Sequence, residues 1–554
     1  MKFQKQIIKS VFSILFLLNF VHAEENVENV QPEELILIPG PLKGKYKKED
    51  LNEIYDESSI EIQCTGTTCN ASSDNVLLEE GKVTISSPGT YILGGELDGQ
   101  LNIAVAKEDI IHLVLRNATI SSNFGPAIYG EKCKKVIITT EGENTISDST
   151  NYPEDTTITT VITSDEVETD IIDEFDKEIE NNVTEDKQSK PPNACIFMKS
   201  NLTLNGKGTL NVNANFDEGI RSKKNLKLIS GKINVISKGN GIKAKESISI
   251  KDGDINVVAG KNAIKVTKDT DPEEGFIVID GGRIVVKAAN DGIHAETHLT
   301  INDGYINVSE CYEVYIDVSN DGISGSKINS NRDPVGNEFD EQVYINIVGG
   351  KIVIRVDGEE NDGLDSNGSI FIGGNAEIYV NAFYGATFGG MGGVDSDGFK
   401  SINNNATVLI TGSGNFPLNG YGEEREDGIK GSTGMEELTV EDVLKIYPEK
   451  TLEKAQLIVE LSKEIRERGI KFILDNPETC HYYQPYLRVV VDEIQLTGVP
   501  LSIKDNKGNV IVEQNPTTQY GVIFYSSPEI VEGETYTITA GKFTYSVIAK
   551  VETK

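Results

Sequence analysis

The phrase Asn290-Asp291-Gly292-Ile293, an acidic or amide residue, then Gly, then a large apolar residue, decides how this chain is read. Copies stand at Asp217-Glu218-Gly219-Ile220, Gly239-Asn240-Gly241-Ile242 and Lys261-Asn262-Ala263-Ile264. Others follow at Asn320-Asp321-Gly322-Ile323, Asn361-Asp362-Gly363-Leu364, Ser396-Asp397-Gly398-Phe399 and Glu426-Asp427-Gly428-Ile429. Gly219, Gly241 and Ala263 recur every 22 residues, and the next interval is lengthened by Lys268–Glu274. A fixed period whose insertions leave the phrase intact marks a stacked repeat. Twelve residues after the phrase glycine stands a second one, as at Gly231, Gly253 and Gly304. Around these glycines apolar and polar residues alternate, as in Leu226, Leu228, Ile233 and Val235. Period-two runs of about five residues are half-buried strands. Two or three such strands per period predict one turn of a parallel β-helix rather than an antiparallel sandwich, whose strands keep no single spacing.

Outward from this core the chain changes character. Lys2, Lys5 and Lys9 precede the apolar run Val11–Leu18, and Val21-His22-Ala23 reads as a cleavage site, so residues 1–23 are expected to be a secretory signal peptide. Residues 24–80 read as a polar lead-in, and 81–432 as the β-helix. Within it, 149–192 carries 13 acidic and 3 basic residues without periodicity, an acidic disordered loop insertion. Thr439-Val440-Glu441-Asp442 resembles a capping box, and Leu452, Ala455, Val459, Ser462 and Ile465 keep helical spacing, so 433–485 is expected to be a helical insertion and a surface for a protein partner. Residues 486–554 alternate again and predict a β-rich C-terminal segment closing the last repeat. The expected fold class is therefore all-β, a right-handed parallel β-helix with a helical insertion and a β-rich closing segment.

With 52 basic and 87 acidic residues the chain carries −35, and −38 once the three leader lysines are gone. That balance excludes a nucleic-acid footprint and suits a secreted, extracellular protein that binds cations. No other stretch is apolar for long enough to span a membrane. Six cysteines fit an oxidising compartment: Cys64 and Cys69 can close a small loop, Cys133 and Cys195 flank the acidic insertion as if to staple it, and Cys311 and Cys480 are left. Seven Asn-x-Ser/Thr sequons, at Asn70, Asn117, Asn182, Asn201, Asn307, Asn367 and Asn405, would make a glycoprotein of it in a eukaryotic secretory pathway. Tryptophan is absent, so any sugar stacking falls to Tyr and Phe.

If the repeats stack, the residue before each phrase glycine forms a column: Glu218, Asn240, Asn262, Asp291, Asp321, Asp362, Asp397, Asp427. At ~4.8 Å between strands, stacked carboxylates repel unless water, amides, lysines or a cation intervene. Oxygen-only ligands in extracellular loops point to Ca²⁺, most densely around Asp362, Asp365, Asp395 and Asp397. Turn-building by Asp-Gly is the simpler account of any single copy. A second column lies two residues after the glycine: Arg221, Lys243, Lys265, His294, then Lys400 and Lys430. It is either a salt-bridge ladder to the acidic column or a groove in which Lys, Arg and His receive uronate carboxylates.

The chain resembles a family of secreted carbohydrate-binding proteins of cellulose-degrading clostridia, polysaccharide-lyase-like in form. Gly89-Thr90-Tyr91-Ile92-Leu93-Gly94-Gly95, Leu202-Thr203-Leu204-Asn205-Gly206, Asn290-Asp291-Gly292-Ile293-His294-Ala295 and Asp362-Gly363-Leu364-Asp365-Ser366-Asn367-Gly368 carry the likeness. Ser526-Ser527-Pro528-Glu529-Ile530 carries it near the end. The resemblance implies a Ca²⁺-binding parallel β-helix that binds cellulose or polygalacturonate-type polymers. It carries Asp291, Asp321, Asp362, Asp365, Asp395 and Asp397 over as metal ligands, with Asp317 the weakest match. The reading is a binding protein for plant cell-wall polysaccharide. The alternatives are a Ca²⁺-dependent lyase of pectate-like polymers and a structural or adhesion surface protein.

Overall fold

The computed structural model describes residues 43–152, 191–311 apart from 270 and 272, 316–318, 343–356, 362–383, 387–388, 393–396, 400–413 apart from 404, 480–551, and isolated residues 440, 452 and 456. Every element among them is a strand, and the protein is all-β. The acidic insertion lies outside the described residues apart from its ends, 149–152 and 191–192, as does most of the expected helical insertion.

Each repeat contributes three strands, and each strand pairs in parallel with its counterpart in the next repeat. The first ladder runs through Lys135–Glu141, Asn201–Gly206, Asn225–Leu228, Ser247–Ile250, Phe276–Ile279, His298–Ile301, Tyr344–Ile347, Ser369–Ile372, Lys400–Ile402 and Cys480–Tyr482. The second runs from Glu143–Ser147 through Thr209–Ala214, Lys232–Ser237, Asp254–Ala259 and Arg283–Ala288 to Thr407–Gly412. The third starts at Lys82–Ile85 and includes Ala194–Met198, Glu218–Ser222, Ile242–Ala244, Ile264–Val266, Ile293–Ala295, Ile316–Val318 and Asp365–Ser366.

Alternation sends one set of side chains inward. Ile196, Ile220, Ile242, Ile264 and Ile293 are fully buried at matched positions of the third ladder, and Leu226, Ile248, Ile277 and Leu299 at matched positions of the first. The two glycines of the repeat serve different ends. Gly219 and Gly241 sit where an added Cβ would strike Val235 and Val257 of the second ladder, a close approach that leaves no room for a side chain. Gly231, Gly253 and Gly304 have φ of 91°, 120° and 110°, which L side chains rarely adopt.

Three expectations change. Strands begin at Ile60, not Gly81: Ile60–Gly66 pairs in parallel with Gly89–Asp98 and in antiparallel fashion with Thr68–Ala71, across the Cys64–Cys69 disulfide. Cys133 and Cys195 do not staple the insertion; both are buried free thiols, Cys133 Sγ 3.0 Å from Ser200 Oγ and Cys195 Sγ 3.6 Å from Ile146 O. Cys480–Tyr482, assigned by its sequence to the helical insertion, is a ladder strand. The side chains of Cys311 and Cys480 lie outside the description. At the far end Tyr520–Ser526 pairs antiparallel with Thr407–Gly412, and residues 501–548 add a separate four-stranded antiparallel sheet with its own core around Leu501, Ile503, Tyr520 and Ile538.

A strap formed by residues 43–55 crosses the outer face of the first ladder. Asp50 is fully buried there, its carboxylate 2.8 Å from both Lys135 Nζ and Lys227 Nζ and accepting from Thr203 Oγ1 at 2.7 Å. Burial alone would raise its pKa, but the two lysines overcome it and hold the carboxyl well below the usual range.

The inward isoleucines give a direct test. Ile242→Ala should cost ~2–5 kcal/mol by opening a cavity in the stack. Ile236→Ala, at a side chain 60 % exposed on the second ladder, should change stability by no more than about 0.5 kcal/mol. Urea-unfolding midpoints of the two variants check this; equal costs would mean that Ile242 does not face a packed core.

Candidate functional site

The outer face of the third ladder carries a single file of residues fixed by register. Tyr129 pairs with Phe197, Phe197 with Arg221, and Arg221 with Lys243; the file continues through Lys265, His294 and Asp317 to Asp365. A bridge between Leu364 and Val394, with Asp395 N–H donating to Leu364 O at 2.7 Å, adds Asp395 as the next member. The file thus passes from aromatic to basic to acidic, one residue per repeat.

The basic part is internally compensated. Glu218, 2 % exposed, is held by Arg221 Nη1 at 3.0 Å and by Lys243 Nζ at 3.0 Å, and accepts from Asn240 Nδ2 at 3.2 Å. Burial pushes its pKa up, but Arg221 and Lys243 outweigh that and bring it down to about 2. The neighbouring Asp217 goes the other way, raised by burial and by the charge of Glu218. Arg221 also donates to Asn193 Oδ1 at 2.6 Å and lies over the Phe197 ring at 5.8 Å. His294 is buried between two carboxylates: Nδ1 is 3.0 Å from Asp291 Oδ2 without hydrogen-bond alignment, and Nε2 is 3.4 Å from Glu296 Oε1. Asn262 Nδ2 donates to the same Asp291 oxygen. Arg221 and Lys243 are therefore paired through Glu218 as in the salt-bridge ladder that was one of the two readings of this column, and His294 lies between Asp291 and Glu296. Lys265 keeps its place in the file, half-buried.

The expected acidic cluster is rearranged. Gly363 stacks against Gly393, so Leu364 meets Val394, and the true copy of the phrase ends at Val394 rather than Phe399. That puts Asp395 in line with Asp365. The third ladder passes through Ile316–Val318, so Asp317 stands between His294 and Asp365. Asp321, Asp397, Asp427 and Lys430 lie outside the described residues. Asp362 is buried three residues before Asp365, the offset that separates Asp291 from His294. Lys400 leaves the basic column altogether: it is in the first ladder, buried, with Nζ donating to Ser396 O at 2.9 Å and 3.6 Å from Asp395 Oδ1. Among the described residues no three of His, Cys, Asp or Glu gather closely enough to hold a metal ion. The donors that do line up at the acidic end, Asp365 and Asp395, are half-buried hard oxygens at one strand spacing, the donor type Ca²⁺ takes. Phe197, which backs the basic file, is not singled out by its sequence, which reads only as a strand.

A family profile of carbohydrate-binding domain-containing proteins matches residues 79–382, more than half of the chain and all but the last member of this file. The chain belongs to that family. A carbohydrate-binding domain-containing protein of Acetivibrio thermocellus is 32% identical over 165 residues, 29% of this chain and 47% of that one, so the match spans about half the length of the relative. A solved polysaccharide lyase-like protein from C. thermocellum, a gadolinium derivative, is 28% identical with a TM-score of 0.41, over 53% of this chain and 99% of its own. Among the described residues of this family member no helix is long and apolar enough to cross a membrane.

Glu218 is the residue on which the basic file depends. Glu218→Ala should cost ~3–5 kcal/mol, because Arg221 and Lys243 would be left buried without their shared partner. Its pKa is lowered on folding, so the stability it supplies is complete above pH about 4.5 and is lost as pH falls toward about 2. Unfolding midpoints of wild type and Glu218→Gln measured across that window should converge at the acid end; a difference independent of pH would contradict the assignment.

Proposed function

We propose that this protein is a secreted, extracellular binding protein for acidic plant cell-wall polysaccharide of the polygalacturonate type. Its three ladders wind as one right-handed parallel β-helix, the hand parallel crossovers favour. The observation that carries this reading is the change of sign along the third-ladder file, from the compensated Arg221–Lys243 pair to Asp365 and Asp395, on a chain of the carbohydrate-binding family.

At the acidic end the file has no basic member of its own. Asp365 and Asp395 are the residues that would hold Ca²⁺, with ligand and water oxygens completing its shell. The ion would relieve repulsion between carboxylates at ~4.8 Å and offer its remaining positions to a uronate carboxylate, joining two like-charged polymers. The protein supplies a rigid row of oxygens at the spacing of its strands. Lys265, half-buried at the junction, meets the neighbouring sugar carboxylate, and His294 beside it is held between Asp291 and Glu296. Arg221 and Lys243 are committed to Glu218 and act by holding the wall in shape.

Asp365→Asn combined with Asp395→Asn should weaken polygalacturonate binding at least about tenfold, a loss of ~1.4 kcal/mol, and abolish its sensitivity to chelator. Lys243→Met should instead lower the unfolding midpoint and leave binding of the folded protein nearly unchanged. Calorimetric titration with oligogalacturonate, with and without chelator, measures both, and ultraviolet absorbance checks that no unsaturated uronate accumulates. Undiminished binding by the double variant would rule out the acidic end as the site.

A further inference from the structure

The start of the stack carries a cleft that the third-ladder file does not explain. Ile60–Gly66, Gly89–Asp98 and Ile110–Ser121 pair in parallel there. Ile110–Ser121 passes from the first ladder, where Arg116 pairs with Glu141, to the second, where Thr119 pairs with Thr145. At that corner the register against Gly94 and Gly95 shifts, and Asn117 is the extra residue, with φ of 49°. Gly94 stands in register between Gln63 and Arg116 and brings no side chain to the face. A cleft of about 320 Å³ lies over it, lined by Glu61, Gln63, Ile92, Arg116 and Asn117. Arg116 and Asn117 are consecutive yet both reach it, which an unbroken strand does not allow; the bulge re-aims the second side chain.

We propose that this cleft binds one neutral sugar unit of a polysaccharide. Arg116 is fixed before any ligand arrives: Nε donates to Glu141 Oε2 at 3.2 Å, Nη2 donates to Tyr55 OH at 2.5 Å, and the guanidinium lies over the Tyr55 ring at 5.3 Å. Its Nη1 is 3.7 Å from Glu61 Oε1, beyond hydrogen-bonding distance. A hydroxyl both donates and accepts, so one sugar hydroxyl can join that donor to that acceptor. Asn117 Oδ1 accepts from Glu143 N–H at 3.1 Å, which leaves its Nδ2 to donate, and the exposed Gln63 amide offers both functions to a neighbouring hydroxyl. Ile92, 6 % exposed, supplies an apolar floor for the C–H face of the ring. Charge selects against an acidic sugar, since the one cation, Arg116, already faces two carboxylates, Glu61 and Glu141. The cleft precedes the repeats that carry Asp365 and Asp395 and needs no cation, so it does not rest on the polyuronate reading.

Calorimetric titration of the full mature chain in excess chelator tests the proposal, with cellotetraose, xylotetraose and mannotetraose as neutral probes and trigalacturonate as the charged one. At least one neutral tetraose should bind, and more tightly than trigalacturonate. Glu61→Ala and Gln63→Ala, both at exposed side chains, should each weaken that binding about fivefold with unfolding midpoints unchanged. Gly94→Val, which fills the cleft, should abolish it; if that variant does not fold, the two alanine variants decide. Asp365→Asn combined with Asp395→Asn should leave it intact. Failure of all three neutral probes to bind would overturn the proposal, as would tighter binding of trigalacturonate or binding indifferent to both alanine variants. Loss of neutral-sugar binding in the Asp365→Asn, Asp395→Asn variant would also overturn it, by moving the site to the third ladder.

Discussion

Parallel pairing in strict register is the constraint to which everything else answers. Each outward residue is set on its counterpart in the next repeat at ~4.8 Å, so any charge placed once tends to meet another. The second ladder resolves this with amides. Arg283 donates to Asn256 Oδ1, Asn256 to Asn234, Asn234 to Asn211, and Asn211 to Glu143, so one directional chain runs from a cation to an anion across five strands. In the third ladder Glu218 takes one partner from its own repeat and one from the next, with Asn240 interposed. The same spacing that would punish like charges supplies their compensation.

The proposed binding end of the file lies where acidic residues follow one another in register. Upstream of His294 the file is closed by Glu218, which holds Arg221 and Lys243, and His294 itself lies between Asp291 and Glu296. Asp365 and Asp395 follow without a basic residue between them in the file. A pair held on adjacent strands of a packed wall has less freedom to splay than one on a solvated loop, and Lys400, reaching over from the first ladder to 3.6 Å from Asp395, supplies one counter-charge. The strap shows a different solution on the first ladder, where Asp50 neutralises Lys135 and Lys227 from outside the repeats.

The repeat itself was legible because spacing and alternation are local properties. The 22-residue period and the apolar alternation locate the strands, and the column Arg221, Lys243, Lys265, His294 is the one the register shows. The errors arise where the phrase and the register part company. Asp397-Gly398 looks like a better copy than the Gly-rich stretch before it, but Gly393 is what fits beneath Gly363, where a side chain has no space. Asp321-Gly322 likewise misleads, because Ile316–Val318 takes the strand position, with Ile316 in register with Ile293. Glu218 serving two cations could not be seen either, since its partners are fixed by which rotamers reach across a strand gap. The strap has no sequence signature at all, because its bonds span as many as 236 positions along the chain, as between Gly44 and Asp280.

Both ends of the stack are finished by a reversal of strand direction. Thr68–Ala71 and Val76–Glu79 fold back in antiparallel fashion at the start, and Tyr520–Ser526 lies antiparallel on Thr407–Gly412 at the finish. An incoming parallel repeat from another molecule therefore finds no matching template on these edges, and growth into a filament is blocked there. Interior repeats answer only to their neighbours. Gain or loss of one 22-residue unit would thus lengthen or shorten the wall without disturbing either terminus, leaving the reach of the molecule along a polymer open to change by simple duplication.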